Sequence, residues 1–129
     1  MATLTPTLKL VSTDVSSDAL SVSVTDTLTV GAPSVGLSKT AIAATGGSDV
    51  TVVASSTGNK YVFMKHTGLQ ADGSTATTQE VVVDFGTTDS IRLSSGEFAF
   101  FPAKASTAIT AVSAGNQTII IEYAYWTKA

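Results

Sequence analysis

The chain has 129 residues, of which only 13% are Asp, Glu, Lys or Arg, and its formal net charge is -3. This length suits one domain with its own core, and the lack of cysteine excludes disulfides and thiolate metal sites. The seven basic residues are scattered singly, which argues against a nucleic-acid partner because phosphate-binding surfaces cluster their cations.

The first 19 residues are predicted to form an extended N-terminal arm. Pro6 cannot donate a hydrogen bond to a neighbouring strand, so the arm is expected at a sheet edge or against another subunit. The segment lacks the basic and apolar regions of a signal peptide, and no apolar stretch of the chain reaches the length of a membrane span. We therefore expect synthesis in a cytoplasm and no membrane partner. The candidate protein-interface residues are Leu4, Pro6, Leu8 and Leu10.

Residues 20–129 are predicted to form a β-sandwich domain. Apolar and polar residues alternate from Leu20 to Val30, the pattern of a half-buried strand. Asp26 falls on the apolar side of this segment and predicts a bulge or bend there, because an unpaired buried carboxylate is costly. Further strands are predicted in chain order at residues 35–43, 50–54, 60–66, 80–86, 91–93, 98–101, 106–112 and 118–126.

Residues 90–102, SIRLSSGEFAFFP, are predicted to form a hairpin. Gly96 can adopt the positive φ that a tight turn between the two strands requires. Phe98 and Phe100 share one face of the second strand, and Phe101 lies on the other. Together with the aromatic residues of the last predicted strand, these rings are expected to stack in the core.

The fold class follows from the spacing of these segments. About eight to ten short strands separated by Gly-rich turns, without helical periodicity, predict an all-β antiparallel β-sandwich of jelly-roll type. The sequence has no strict internal repeat, which disfavours a propeller or a solenoid.

Candidate catalytic and metal-binding residues are few. His66 is the single histidine, and no Gly-x-Ser-x-Gly nucleophile motif accompanies it, so it is interpreted as a partly exposed imidazole at a strand end. Glu80 and Asp84 share a strand face and are interpreted as a solvated face or a salt bridge, not as a glycosidase pair. Asp14 and Asp18 leave a weak calcium site as an alternative. We predict no catalytic, cofactor-binding or metal residues, and no enzyme.

The low charge itself indicates a type of surface. A free monomer normally carries about twice this charged fraction, partly to block pairing between sheet edges. Ser and Thr occupy most polar strand positions here, so neighbouring molecules can approach without desolvating many charges. Such a surface is typical of subunits packed around a symmetry axis or on a lattice.

Four segments resemble, in their order and layout, small virion structural proteins of tailed bacteriophages, including capsid decoration (cement) proteins with a jelly-roll or related fold. The resemblance covers roughly residues 58–126 and carries over no functional residue. It implies many copies, often trimers, on a capsid or tail surface, with an N-terminal arm that makes the lattice contact. The segments are NKYVFMKHTG (59–68), VVVDFG (81–86), SIRLSSGEFAFFPA (90–103) and TIIIEYAYW (118–126).

The sequence therefore leads to the hypothesis of a non-enzymatic phage virion protein. A capsid decoration protein would bridge neighbouring capsid subunits, with the major capsid protein or other virion proteins as partners, a homotrimer as its state and the virion as its location. A tail, neck or fibre component is the alternative within this class. A carbohydrate-binding jelly-roll module is the alternative outside it.

Overall fold

The computed structural model describes residues 2–129, and this part of the chain is all-β, with antiparallel strand pairing and no helix. The predicted all-β sandwich class is confirmed. No helix in the described range could cross a membrane. The strands are β1 (Ala2–Leu4), β2 (Thr7–Ser12), β3 (Leu20–Thr25), β4 (Leu28–Ile42), β5 (Val50–Val53), β6 (Lys60–Gln70), β7 (Val81–Phe85), β8 (Thr88–Leu93), β9 (Phe98–Ala103), β10 (Ile109–Ser113) and β11 (Ile119–Lys128).

The chain divides into two compact units. The N-terminal unit runs to Gly31 and includes Lys128–Ala129, and the sandwich unit is Ala32–Thr127. The predicted boundary between residues 19 and 20 falls in the connection from β2 to β3. Because these two strands pair with each other, the first unit continues past that boundary.

Two four-stranded sheets make up the sandwich unit. The first is the β4-β11-β6-β9 part of a five-stranded sheet in which β1 pairs with the first residues of β4, and the second has the order β5-β10-β7-β8. The first strand of the unit thus pairs with the last, the second with the second last, and so on inward to the β7–β8 hairpin. Successive strands from β4 to β7 alternate between the two sheets.

The core of the sandwich unit lies between the two sheets. Alternate residues of each strand point inward, as the period-two pattern requires, so that Val62 and Met64 of β6 bury against the inner residues of the second sheet. Each fully buried aliphatic side chain contributes about 1.5–3 kcal/mol. The buried cluster comprises Ile42, Val52, Val53, Val62, Met64, Val81, Val83, Leu93, Ile109, Ala111, Ile119 and Ile121.

The predicted hairpin at residues 90–102 does not form. β8 pairs with β7 in the second sheet, whereas β9 pairs with β6 in the first. The turn chemistry is present, since Glu97 N donates to Ser94 O at 3.0 Å and Gly96 has a φ of 84°. Both Gly96 and Glu97 oppose His66, which is a bulge with glycine in its first position. The connection crosses from the second sheet to the first. Leu93 and Phe101 then pack into the same core from its two opposite sides.

The N-terminal unit contains the β2–β3 hairpin and the pairing of β1 with the first residues of β4. The predicted bend at Asp26 is confirmed, since β3 ends at Thr25 and β4 begins at Leu28. Asp26 N donates to Pro6 O at 3.2 Å, and its carboxylate accepts from Thr27 N at 2.7 Å. Asp26 is exposed and therefore needs no buried counter-ion.

Candidate interaction surfaces

One side of the β2–β3 hairpin carries a group of apolar side chains without a covering layer. Leu8 lies opposite Val24, and Leu10 lies opposite Val22. Alternation along β3 places Leu20, which lies opposite Ser12, on the same side of the ribbon. Leu8 and Leu10 are each 46% exposed, Val24 is 56% exposed and Leu20 is 37% exposed. We call this surface, formed by Leu8, Leu10, Leu20, Val22 and Val24, the hairpin face.

The hairpin face contains no charged residue. Lys9 lies on the opposite side of the ribbon, beside Ser23. On that opposite side the hydroxyl groups of Thr7 and Thr25 also form a hydrogen bond of 3.0 Å. A two-stranded ribbon on its own is marginally stable in water, and each further layer that covers its apolar side adds roughly 25 cal/mol per Å² of buried area. The hairpin face is therefore a surface that a partner would stabilise.

The structure separates the four predicted interface residues. Leu8 and Leu10 lie together on the hairpin face, where they are exposed. Leu4 pairs with Leu28 in β1 and is half-buried, and Pro6 lies in the link between β1 and β2, also half-buried. Because Pro6 lies between the two strands, its missing N–H leaves no gap in a ladder, and its carbonyl accepts from Asp26 N.

A second apolar surface lies on the outer side of the first sheet of the sandwich unit. Register places Trp126, Tyr61 and Pro102 in one row across β11, β6 and β9, and Ala124, Phe63 and Phe100 in the next. Phe98 follows in the third row, beside Lys65. We call the five rings Tyr61, Phe63, Phe98, Phe100 and Trp126 the aromatic face.

Phe98 and Phe100 of β9 are the most open part of the aromatic face. Phe98 is 61% exposed and Phe100 is 38% exposed, and the Phe100 ring stacks on Tyr61 with 6.1 Å between centroids. The expectation that Phe98 and Phe100 belong to the core is wrong. Phe101 points inward instead and packs on Phe85 at 5.3 Å. The prediction placed all three rings in the core because both sides of β9 are apolar, so that no polar side marks the outer face.

His66 is fully buried, so the predicted partly exposed position is wrong. Its Nε2 lies 2.8 Å from Gln79 O, and Gly68 N donates to its Nδ1 at 2.9 Å. These partners fit a neutral ring with its proton on Nε2. With both nitrogens bound to main chain and no solvent access, the imidazole ties β6 to the segment before β7 and has no free position for acid–base chemistry.

Glu80, just before β7, and Asp84, within β7, lie in two different environments. Glu80 forms an ion pair with Arg92 at 3.0 Å, as one interpretation expected. Asp84 is instead buried, and its Oδ1 has no hydrogen-bond partner. Burial, followed by the neighbouring carboxyls of Asp49 and Asp89, raises the pKa of Asp84 from 3.8 to about 6. The hydroxyl of Thr110, the cross-strand neighbour of Asp84, also has no partner.

Metal binding finds no support in the described residues. Across residues 2–129, no group of three or more His, Asp or Glu side chains is arranged to hold an ion. The turn that suggested a weak calcium site is closed internally, since Asp14 accepts from Ser12 Oγ at 2.8 Å and Ser16 Oγ donates to Asp18 O at 2.5 Å.

No protein-family profile matches the chain, and a search of curated proteins finds no match. The arguments for function therefore come from the two surfaces themselves. Of these, sequence reasoning found part of the hairpin face and missed the aromatic face, although the uncharged run from Phe98 to Ala103 ending near a proline is a signal for an exposed edge strand.

Proposed function

We propose that the protein is a non-enzymatic structural subunit of a bacteriophage virion, namely a capsid decoration protein that bridges neighbouring capsid subunits. The observation that carries the proposal is the hairpin face, an uncharged apolar surface on a ribbon that needs a covering layer. Assembly subunits present surfaces of this kind to their neighbours. The partners on this proposal are the major capsid protein or other virion proteins.

The strand pairing of the sandwich unit supports the same proposal. First-to-last pairing of eight strands, wrapped into two four-stranded sheets, is what we infer to be a jelly roll, a fold found in viral capsid and lectin domains. The layout resemblance of residues 58–126 to phage virion proteins points in the same direction. It implies several copies on the shell, with trimers as the common state.

The mechanism requires no catalytic group. A decoration subunit stabilises a shell by burying area against two neighbours at once, and the small free energy of each contact is multiplied by the number of copies. On this proposal Leu8 and Leu10 insert into the shell, since they are the exposed members of the predicted interface set. A tail or neck position would use the same contact.

The experiment is co-sedimentation with shells assembled from the major capsid protein of the same phage. The double variant Leu8→Ser with Leu10→Ser removes two half-exposed leucines, each worth about 1 kcal/mol on burial, so binding should weaken about 30-fold. Val11→Ser is the matched control, because Val11 is exposed on the opposite side of the same ribbon. Equal binding of the double variant and the wild type would refute the role of the hairpin face.

A carbohydrate-binding module remains the second candidate because of the aromatic face. Sugar platforms use stacked rings, but they rely on Tyr and Trp for their polar edges, and the most exposed rings here are Phe98 and Phe100. Titration with soluble glycans, followed by Trp126 fluorescence, tests this candidate. A saturable change at millimolar sugar would favour it over the virion role.

A further inference from the structure

We propose that β9 is a self-association edge, through which two copies of the sandwich unit pair antiparallel about a two-fold axis at Ala99. The aromatic faces of the two copies would then form one continuous surface. This inference concerns a different surface from the hairpin face and does not depend on shell binding. It assigns a two-fold contact where the resemblance to decoration proteins implies a three-fold one.

The open side of β9 follows from its bonds to β6. His66 N donates to Glu97 O at 2.9 Å, and Gly96 N donates to His66 O at 3.1 Å, so His66 directs both main-chain groups toward β9. Main-chain groups alternate in direction along a strand, and the register continues without a shift from Phe98 to Ala103. The N–H and C=O groups of Phe98 and Phe100 therefore point away from β6, to the free edge.

Pro102 is consistent with this assignment. It lies two residues beyond Phe100 and therefore faces the same free edge, where its missing N–H breaks no ladder bond. Pro102 also limits the number of hydrogen bonds that this edge can form, because it offers a carbonyl acceptor and no N–H donor. A strand that pairs with β9 thus has two complete residues to bind, Phe98 and Phe100.

The sandwich unit has four edge strands, β4, β5, β8 and β9. β5 is uncharged but only four residues long, β8 is protected by charge, and β9 is not. β8 carries Asp89 and Arg92 with exposed side chains, and charges of this kind discourage edge pairing. β9, with the sequence FAFFPA, carries no charge. The two residues with open main-chain groups also carry the two most exposed rings of the aromatic face. The open main-chain groups and the exposed rings of this edge therefore belong to the same two residues, Phe98 and Phe100.

Only one register of a second copy forms two complete residue pairs with this edge, in which each residue both donates and accepts. With the axis at Ala99, Phe98 of each copy lies opposite Phe100 of the other, and about four main-chain hydrogen bonds form. A shift of two residues in one direction places Phe98 against Pro102, which accepts but cannot donate, so that only the central Phe100 pair is complete. A shift in the other direction places Phe100 against Gly96, whose N–H is already bound to His66.

The charges next to β9 do not oppose this pairing. In the proposed register Glu97 lies opposite Phe101 of the other copy, and Lys104 lies opposite Ser94. No like charges face each other across the new ladder. The uncharged edge is therefore self-complementary in both hydrogen bonding and charge, which favours a second copy over a charged partner.

The expected affinity is low. From their exposed fractions, Phe98 and Phe100 offer roughly 200 Å² per copy, well below the ~800 Å² per partner of a stable interface. We expect monomers at micromolar concentration and dimers at several hundred micromolar. On a shell, where copies are held close together, the same contact would be strengthened by effective concentration.

Sedimentation velocity from about 5 to about 500 µM tests the proposal. The wild type should shift toward a dimer, and Phe98→Lys and Phe100→Pro should each weaken association at least tenfold, the first by placing a charge on the uncharged edge and the second by removing an N–H at the free edge. The Leu8→Ser, Leu10→Ser variant is the control and should dimerise normally. Circular dichroism checks that each variant is folded.

The register has a separate test, because the natural chain has no cysteine. A mixture of Phe98→Cys and Phe100→Cys proteins should form a mixed disulfide faster than either protein alone, since only the mixed pair lies directly opposite. Equal rates would overturn the register. A wild type that stays monomeric at the highest concentration, or that forms a trimer unaffected by Phe98→Lys, would overturn self-association through β9. A monomer that loses shell binding with Phe98→Lys would assign this edge to a capsid strand instead.

Discussion

Two parts of the molecule use the same alternation of apolar and polar residues and end with different exposure. In the sandwich unit the apolar sides of the two sheets cover each other, and residues such as Ile109 and Ile121 are buried. In the β2–β3 hairpin the apolar side has no second layer, and Leu8, Leu10 and Val24 are exposed. A period-two pattern therefore identifies an apolar side of a strand, and the topology decides whether anything covers it.

The largest expected effect tests this difference directly. Ile109→Ala removes a fully buried side chain from the sandwich core and should lower the free energy of unfolding by about 2–5 kcal/mol. Leu10→Ala removes a half-exposed side chain and should change it by about 0.5 kcal/mol or less. Urea denaturation followed by far-ultraviolet circular dichroism and Trp126 fluorescence measures both.

The comparison fails if the two substitutions cost the same. A loss of 2 kcal/mol or more for Leu10→Ala in dilute protein would mean that the hairpin face is covered in the free subunit. Ile121→Ala is a second core position for the same measurement, since Ile121 is also fully buried, and it should fall in the same range as Ile109→Ala.

A polar cluster closes one end of the sandwich unit. Substitution of Gly115 tests whether this cluster tolerates change better than the apolar core does. A Cβ at residue 115 would overlap the Gln79 amide, which is held by Gln117 N at 2.9 Å and by Asn116 Oδ1 at 2.7 Å. Gly115→Ala must displace this amide and break those bonds, so we expect a loss of about 1–3 kcal/mol. Thermal denaturation measures the loss.

Gly36→Ala is the matched control for this substitution. Nothing lies within 4 Å of a Cβ at Gly36, and its backbone is compatible with alanine, so the change should stay within about 0.5 kcal/mol. A Gly115→Ala protein as stable as the wild type would show that Gln79 finds equivalent partners in another rotamer. In that case the polar cluster tolerates change in a way that the apolar core does not.

The sequence was sufficient for local structure and insufficient for pairing. Alternation located most strands of the sandwich unit, and the inward position of Asp26 located the break between β3 and β4, because both depend on neighbouring residues alone. Alternation did not show that β4 runs unbroken from Leu28 to Ile42. The turn at Gly96 was also correctly placed, yet the hairpin prediction was wrong, since turn chemistry does not specify which sheet each strand joins. That choice depends on the fit of Leu93 and Phe101 into a core built from distant strands.

The candidate surfaces show the same limit. The hairpin face was partly predictable, because Leu8 and Leu10 are apolar residues in a segment that cannot reach a large core. The aromatic face was not, because both sides of β9 are apolar and alternation alone does not say which side faces inward. His66 was missed for a related reason: its partner Gln79 O reaches it only in the folded chain.

Asp84 provides an intermediate case, a buried polar group on the outer side of the second sheet. Its pKa is raised from 3.8 to about 6, first by burial and then by Asp49 and Asp89. Between these two pH values the folded protein keeps a proton that the unfolded chain has released. The free energy of unfolding therefore falls as the pH rises from about 4 to about 6, and it levels off above that range.

Asp84→Asn should remove most of this pH dependence. An uncharged amide avoids the cost of an ionised buried carboxylate, whose upper limit is about 3 kcal/mol for a shift of about two units. Solvent relaxation reduces that cost, and the amide must still find partners, so we expect a gain of about 1–2 kcal/mol at pH 7.5 and little change at pH 4. Urea denaturation at several pH values measures it, with the exposed Asp18→Asn as control.

A wild-type stability that is flat or rising between pH 4 and 6, or an Asp84→Asn protein less stable at pH 7.5, would mean that this carboxyl is ionised and well solvated. The outer side of the second sheet would then be an open surface like the hairpin face.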